Sequence, residues 1–161
     1  MAAGAAPWYE AADSGDAGEG MVQRIVVGTD LSARSTAAVT MAADLAGQLG
    51  ATLHLVSACP QPAVGMGPEM VIIPDHGEVV DSTKADLTQM ADDLRGKGLT
   101  VEVHTPVGEA ADALCAVAES VDADLIVVGN KRMTGAARLL GSVPNRVAHK
   151  ATCSVLIART A

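Results

Sequence analysis

The chain has 161 residues, 49% of them hydrophobic, and a formal net charge of −8. That is room for one ordinary domain with a full core. The acidic balance argues against a nucleic-acid partner or an anionic membrane surface, and no apolar run approaches the ~20 residues of a membrane span.

Residues 1–20 contain no Lys or Arg and no apolar core segment, so they do not read as a secretory signal. Rich in Ala and Gly and carrying Glu10, Asp13, Asp16 and Glu19, they are expected to form a disordered tail, with 21–161 as the domain. Met21 directly precedes the first strand-like run and is an alternative start. Arg24 to Gly28 is a short β-branched strand. Ser32 is expected to cap a helix whose apolar positions Ala38, Met41, Ala42, Leu45 and Leu49 recur at helical spacing, with Gly50 as its end. Thr52 to Ser57 is a second strand. Residues 58–76 carry Pro60, Pro62, Pro68 and Pro74 with Gly65 and Gly67, a long loop of the kind that often covers a ligand.

A helical pattern returns from Glu78 to Arg95, with Leu87, Met90, Ala91 and Leu94 on one face and Gly96 and Gly98 as breakers. Leu99 to His104 is a third strand and Gly108 to Val121 a helix, with Glu109 and Asp112 suited to its first turn. Leu125 to Val128 is a fourth strand, Ser142 to Lys150 a helix with Pro144 near its start, and Ser154 to Ala158 a fifth strand. Five strands alternating with four helices predict an α/β fold: a parallel sheet covered on both faces, joined by right-handed crossovers. With Phe absent and one Trp and one Tyr, its core must be aliphatic.

In such sheets ligands sit beyond the carboxyl ends of the strands, where the strand order reverses. The run from Val128 to Val143 points the same way. A buried strand stops at Gly129, a loop containing Gly135 follows, and Gly141-Ser142 opens a helix. Glycine lets a phosphate come close, and a helix N-terminus offers N–H groups and a favourable dipole. This predicts a phosphate-bearing ligand without implying chemistry.

The segments Val27-Gly28-Thr29-Asp30-Leu31-Ser32 and Val128-Gly129-Asn130-Lys131 through Leu140-Gly141-Ser142-Val143-Pro144 strongly resemble universal stress proteins. The resemblance runs from about Gln23 to Arg159. It implies a single open sheet of order 3-2-1-4-5, dimers paired along the last strand (154–158), and, in one branch of the family, ATP or another adenine nucleotide as ligand, with or without Mg. Carried across by motif, adenine and ribose would lie against Gly28, Thr29, Asp30 and the backbone near Val56. Phosphates would lie over Gly129, Asn130, the turn at Arg132, and Gly141, Ser142 and Val143. Asp30 can accept from ribose hydroxyls or adenine N6, and Ser142 can donate to phosphate.

Two departures bear on that transfer. The nucleotide-binding pattern has glycine where this chain has Arg132, and nine residues where this chain has eight before Gly141. A non-glycine in a left-handed position costs ~1–2 kcal/mol. Arg132 either compensates by bidentate bonds to phosphate or fills the pocket.

Other candidates read more simply. Asp30 as a phospho-acceptor would want further carboxylates at neighbouring strand ends, and Val103-His104-Thr105 offers none. His54, His76, His104 and His149 are scattered, in no metal-ligand spacing, and read as strand or surface residues; no metal site is expected. Cys59, Cys115 and Cys153 are odd in number and far apart, which suits reduced thiols and a cytoplasmic location; Cys115 reads as packing. No phosphate loop, dinucleotide fingerprint or nucleophile elbow is present, and no catalytic residue is assigned. The readings are thus a cytoplasmic, homodimeric adenine-nucleotide-binding stress or signalling module; a nucleotide-free dimeric interaction module; and an enzyme with slow ATP hydrolysis, for which no water-activating residue is apparent.

Overall fold

The computed structural model describes residues 22–61, 76–130 and 142–160. The elements alternate along the chain as β1 (Arg24–Gly28), α1 (Thr36–Leu49), β2 (Thr52–Val56), α2 (His76–Arg95), β3 (Val101–His104), α3 (Ala110–Ser120), β4 (Leu125–Asn130), α4 (Ser142–Lys150) and β5 (Ser154–Arg159). The sheet is parallel throughout, in the order β3-β2-β1-β4-β5. The expected tail, most of the 58–76 loop, Arg132, Gly135 and Gly141 lie outside the described residues.

Side chains alternate between the faces of each strand, and the two faces make two cores. Ile25, Val27, Leu53, Leu55 and Val127 face α1 and α2, where Ala38, Ala42 and Leu87 are fully buried. The small Ala side chains let α1 lie close on the sheet, and β-branched strand residues fill the remaining width. Val26, Val56, Ile126 and Val128 face α3 and α4 and pack on Leu114, Cys115 and Val147. The aliphatic core is therefore two thin layers around one sheet, and Cys115 is part of the packing as expected.

Element ends differ from the sequence reading for local reasons. Ser32 does not cap α1. Ser35 occupies that position with no side-chain cap, and the residues before it form a turn in which Ser35 N–H donates to the Ser32 carbonyl at 3.0 Å. Gly50 does end α1, with φ 67° and its N–H on the Ala46 carbonyl. The Leu99 N–H returns to the Leu94 carbonyl (3.3 Å), which delays β3 to Val101. Gly108 has φ 141° and lies outside α3. β4 does not stop at Val128: Gly129 pairs with Ala158 and Asn130 with Arg159.

One carboxylate fixes the centre of the sheet. Asp124, just before β4, accepts the N–H of Gln23 (2.8 Å) and of Arg24 (2.9 Å) on one oxygen. Its own N–H donates to the Arg24 carbonyl (3.0 Å), and its carbonyl accepts from Ser154 (3.3 Å). The amino ends of β1, β4 and β5 are thereby tied together. The bond from Gln23 is the largest influence holding the Asp124 carboxyl below its ordinary range, with burial opposing it. Because the folded pKa is depressed, the contribution is complete above the ordinary carboxylate range and is lost as pH falls through the folded value. Asp124→Ala should therefore cost about 1–2 kcal/mol at pH 7 by urea unfolding, and the gap between wild type and variant should narrow as pH falls through the depressed carboxyl value.

Candidate functional site

β1 pairs with β4 only from Ile25↔Leu125 to Val27↔Val127. Beyond that point Gly28 stays with Val56 of β2 and Val128 with Ile157 of β5. The two central strands part at their carboxyl ends, the strand order reverses there, and a cavity of about 300 Å³ opens in the gap. That is within the lower range of small-molecule sites.

The cavity brings together most of the residues the sequence singled out. Gly28, Thr29 and Asp30 come from β1 and the turn after it, Val56 from β2, and Gly129 from β4. Ser142 and Val143 come from the first turn of α4, with Pro144 beside them. Asn130 is fully buried and is not on this wall. Arg132 and Gly141 lie outside the described residues. The sequence reading missed Ser35, Ala58, Ala110, Leu114 and Thr160, which with Val128 complete the lining. Thr160 could have been found by its place just after the carboxyl end of β5; the others depend on how the helices pack. Its Oγ1 is shielded from solvent and has no hydrogen-bond partner among the described residues.

The turn after β1 is stiffened by its own hydroxyls. Ser35 Oγ donates to the Ser32 carbonyl (2.8 Å), so Thr29 Oγ1 is the donor in its 2.9 Å bond to Ser35 Oγ. Thr29 Oγ1 in turn accepts the Leu31 N–H at 3.0 Å. Leu31 adopts φ 60°, a left-handed conformation that a non-glycine residue takes at ~1–2 kcal/mol. Thr29 N–H is tied to the Val56 carbonyl at 2.9 Å. Asp30 Oδ1 accepts from Ser32 Oγ (2.6 Å) and Ser32 N–H (3.3 Å), which holds the carboxylate at the exposed rim of the cavity.

The two strand-end glycines have a reason the sequence did not show. A Cβ on Gly28 would lie 2.8 Å from Leu114 Cδ1, and one on Gly129 would lie 2.7 Å from Thr160 Cγ2. Their missing side chains make room for protein neighbours, not for a ligand alone. Between the helices, Arg146 of α4 donates to Asp112 of α3 at 3.0 Å and also to Glu109, while Lys150 donates to Asp112. Lys150 is the largest influence holding the exposed Asp112 carboxyl below its ordinary range. These bridges set α4 against α3, and so set where the N-terminus of α4 meets the cavity.

The wall is mostly apolar, with Val56, Leu114, Val128 and Val143 suited to the faces of a flat ring. Among its described residues Asp30 is the single ionisable group. The α4 N-terminus supplies the opposite character: N–H groups without intrahelical acceptors and the positive end of the helix dipole. The arrangement can hold a molecule with an apolar flat part, hydroxyls near a carboxylate, and an anionic group at the helix end.

Two of the four histidines meet in space. His54 and His104, 50 residues apart in sequence, stand 3.1 Å apart on β2 and β3, and Glu102 Oε2 lies 3.4 Å from His54 Nδ1. None of the three lines the cavity.

Comparison with known proteins matches residues 21–159 to the sequence profile of the universal stress protein family. A universal stress protein of Mycobacterium tuberculosis is 38% identical over 143 residues, covering 84% of this chain and 95% of the relative. A crystal structure of a universal stress protein in complex with cAMP is 35% identical, with a TM-score of 0.68 over 88% of this chain and all of that one. The structure of the universal stress protein from Archaeoglobus fulgidus in complex with dAMP is 27% identical, with a TM-score of 0.63, covering 86% of this chain and 98% of that one.

The packing of Gly28 gives a direct test. Gly28→Val should destabilise the protein by about 1–3 kcal/mol in urea unfolding through overpacking against Leu114. Combining it with Leu114→Ala should cost less than the sum of the two single changes.

Proposed function

The chain belongs to the universal stress protein family, and from that we propose that it binds an adenine nucleotide in the crevice between β1 and β4 and acts as a cytoplasmic stress or signalling module. The observation that carries this reading is the meeting of Asp30 and the first turn of α4 on one mainly apolar cavity. Adenine fits the apolar wall around Val56, Leu114 and Val143, and the ribose hydroxyls fit the carboxylate of Asp30. An ionised carboxylate is an acceptor only, the partner that ribose hydroxyls need. The phosphate fits Ser142, whose hydroxyl and helix N-terminus both donate.

The cAMP and dAMP complexes of related proteins support the ligand class. If Mg accompanies the phosphates, Asp30 is the one carboxylate on the described wall that could help hold it, so the ion would depend chiefly on phosphate oxygens. The proposed role is binding rather than turnover, and no catalytic residue is assigned. We further propose a homodimer through β5. It is an edge strand whose Val155, Leu156 and Ile157 are half-buried in the single chain, and such an edge is ordinarily covered.

Denaturing the purified protein and assaying the supernatant should release adenine nucleotide. In thermal shift, the cognate member of a panel of ATP, ADP, AMP and cAMP should stabilise by ~2.7 kcal/mol at a hundred times its dissociation constant. Asp30→Ala should weaken every member of the panel about 10- to 100-fold, the loss of a hydrogen bond to a charged acceptor. Arg132→Gly should lower affinity if the guanidinium bonds phosphate and raise it if the side chain fills the pocket. No released nucleotide and no shift with any member would contradict the reading and leave the ligand-free dimeric module.

A further inference from the structure

We propose that His54, Glu102 and His104 form a binding site for a divalent transition-metal ion of the Zn2+ class, on the sheet face shared with α3 and α4 and one strand outward from the nucleotide crevice. The site follows from strand register. His54 on β2 lies opposite Glu102 on β3, and Val56 lies opposite His104. Glu102 and His104 are two apart on one strand and so project from the same face. His54 projects there too, since it pairs with Val26, whose side chain belongs to the core under α3 and α4. Two imidazoles and a carboxylate thus converge on one face at the edge of the sheet.

The distances suit an ion. One ligand atom from each residue lies within 4.8 Å of the other two. His54 Nδ1 is 3.1 Å from His104 Nε2 and 3.4 Å from Glu102 Oε2. Tetrahedral Zn2+ with metal–ligand bonds near 2.0–2.1 Å places its ligand atoms about 3.3 Å apart. Two imidazoles and one carboxylate are a known zinc ligand set, and nitrogen donors select Zn2+, Co2+ or Ni2+ over Mg2+ or Ca2+. Burial is the main influence lowering the pKa of both histidines, with Glu102 opposing it.

Without an ion the cluster is poorly served. A single proton can lie between the two facing ring nitrogens, and the Glu102 carboxylate is left at the longer distance from the same His54 nitrogen. His54 is itself 3% exposed, while 58% of the Glu102 side chain is open to solvent. The buried imidazole anchors the site, and the exposed carboxylate gives an ion access and leaves room for a water as fourth ligand. Arg24, whose charge also reaches His54, has its Nε engaged by the Asp122 carbonyl at 3.0 Å. His54 Nε2 is buried without a partner among the described residues. A ligating ring normally has an acceptor behind it, and its lack typically costs 10- to 100-fold in affinity, so this site is an exchangeable one.

The test uses the full chain without a polyhistidine tag, stripped with chelator and titrated with Co2+ followed by visible absorption. One Co2+ per chain should bind with the intense band of tetrahedral coordination, Zn2+ should displace it, and excess Mg2+ should not. Glu102→Gln and His104→Gln should each weaken binding at least tenfold, while His149→Gln leaves it unchanged; circular dichroism melts confirm that each variant is folded. No stoichiometric tetrahedral band in the wild type would overturn the proposal. So would binding that persists undiminished in folded Glu102→Gln, which would put the ion on other residues.

Discussion

The pairing of β1 with β4 is the constraint on which the rest of this structure depends. It is the one contact in the sheet where the chain reverses its direction of strand addition, and it is closed at one end and open at the other. At the amino ends Asp124 gathers the backbone N–H groups of Gln23 and Arg24 on a single oxygen. At the carboxyl ends the register stops at Val27↔Val127, and each strand follows its outer neighbour instead. The crevice is a consequence of topology: a doubly wound parallel sheet must open at this point, and the residues just after β1 and β4 are delivered to it. The sequence needs only to make those residues useful.

It does so with modest chemistry. The turn after β1 uses its hydroxyls internally, from Thr29 to Ser35 to the Ser32 carbonyl, and keeps Leu31 at φ 60°. Strain of that kind persists where surroundings over-determine the backbone, and it is common at ligand sites. The result is a carboxylate held in place before any ligand arrives, which reduces the ordering a ligand must impose. Opposite it, the ion pairs between α3 and α4 are exposed and worth little as stability, but they orient the helix whose N-terminus meets the cavity. Among its described residues the site is thus a preformed shape with one fixed negative group and one fixed positive helix end.

Much of this was legible in the chain. The β-branched runs at Arg24–Gly28 and Leu125–Val128, and helical spacing between the strands, carry the α/β alternation because burial on both faces demands it. Strand order came from the resemblance, since no local pattern encodes which strands are neighbours. Most of the wall was legible too, because a ligand in such a sheet meets the residues at the strand ends. What escaped reading is tertiary. The glycines at 28 and 129 looked like concessions to a ligand, yet Leu114 and Thr160 occupy the space. Ser32 looked like a helix cap, yet it is spent on Asp30 and on a turn that delays the helix to Thr36. His54 and His104 looked unrelated because spacing rules see only near neighbours, whereas the β2–β3 register joins positions 50 apart.

The central claim is that two turns from opposite halves of the chain serve one adenine nucleotide. Its most direct measurement is the amide spectrum of isotopically labelled protein titrated with cAMP and, separately, AMP. Binding should move the resonances of Gly28 to Asp30 and of Ser142 and Val143 together, along one saturation curve, with Asp124 at the far end of the strands unmoved. Shifts confined to one of the two turns, or a spectrum indifferent to both nucleotides and to ATP, would contradict the account.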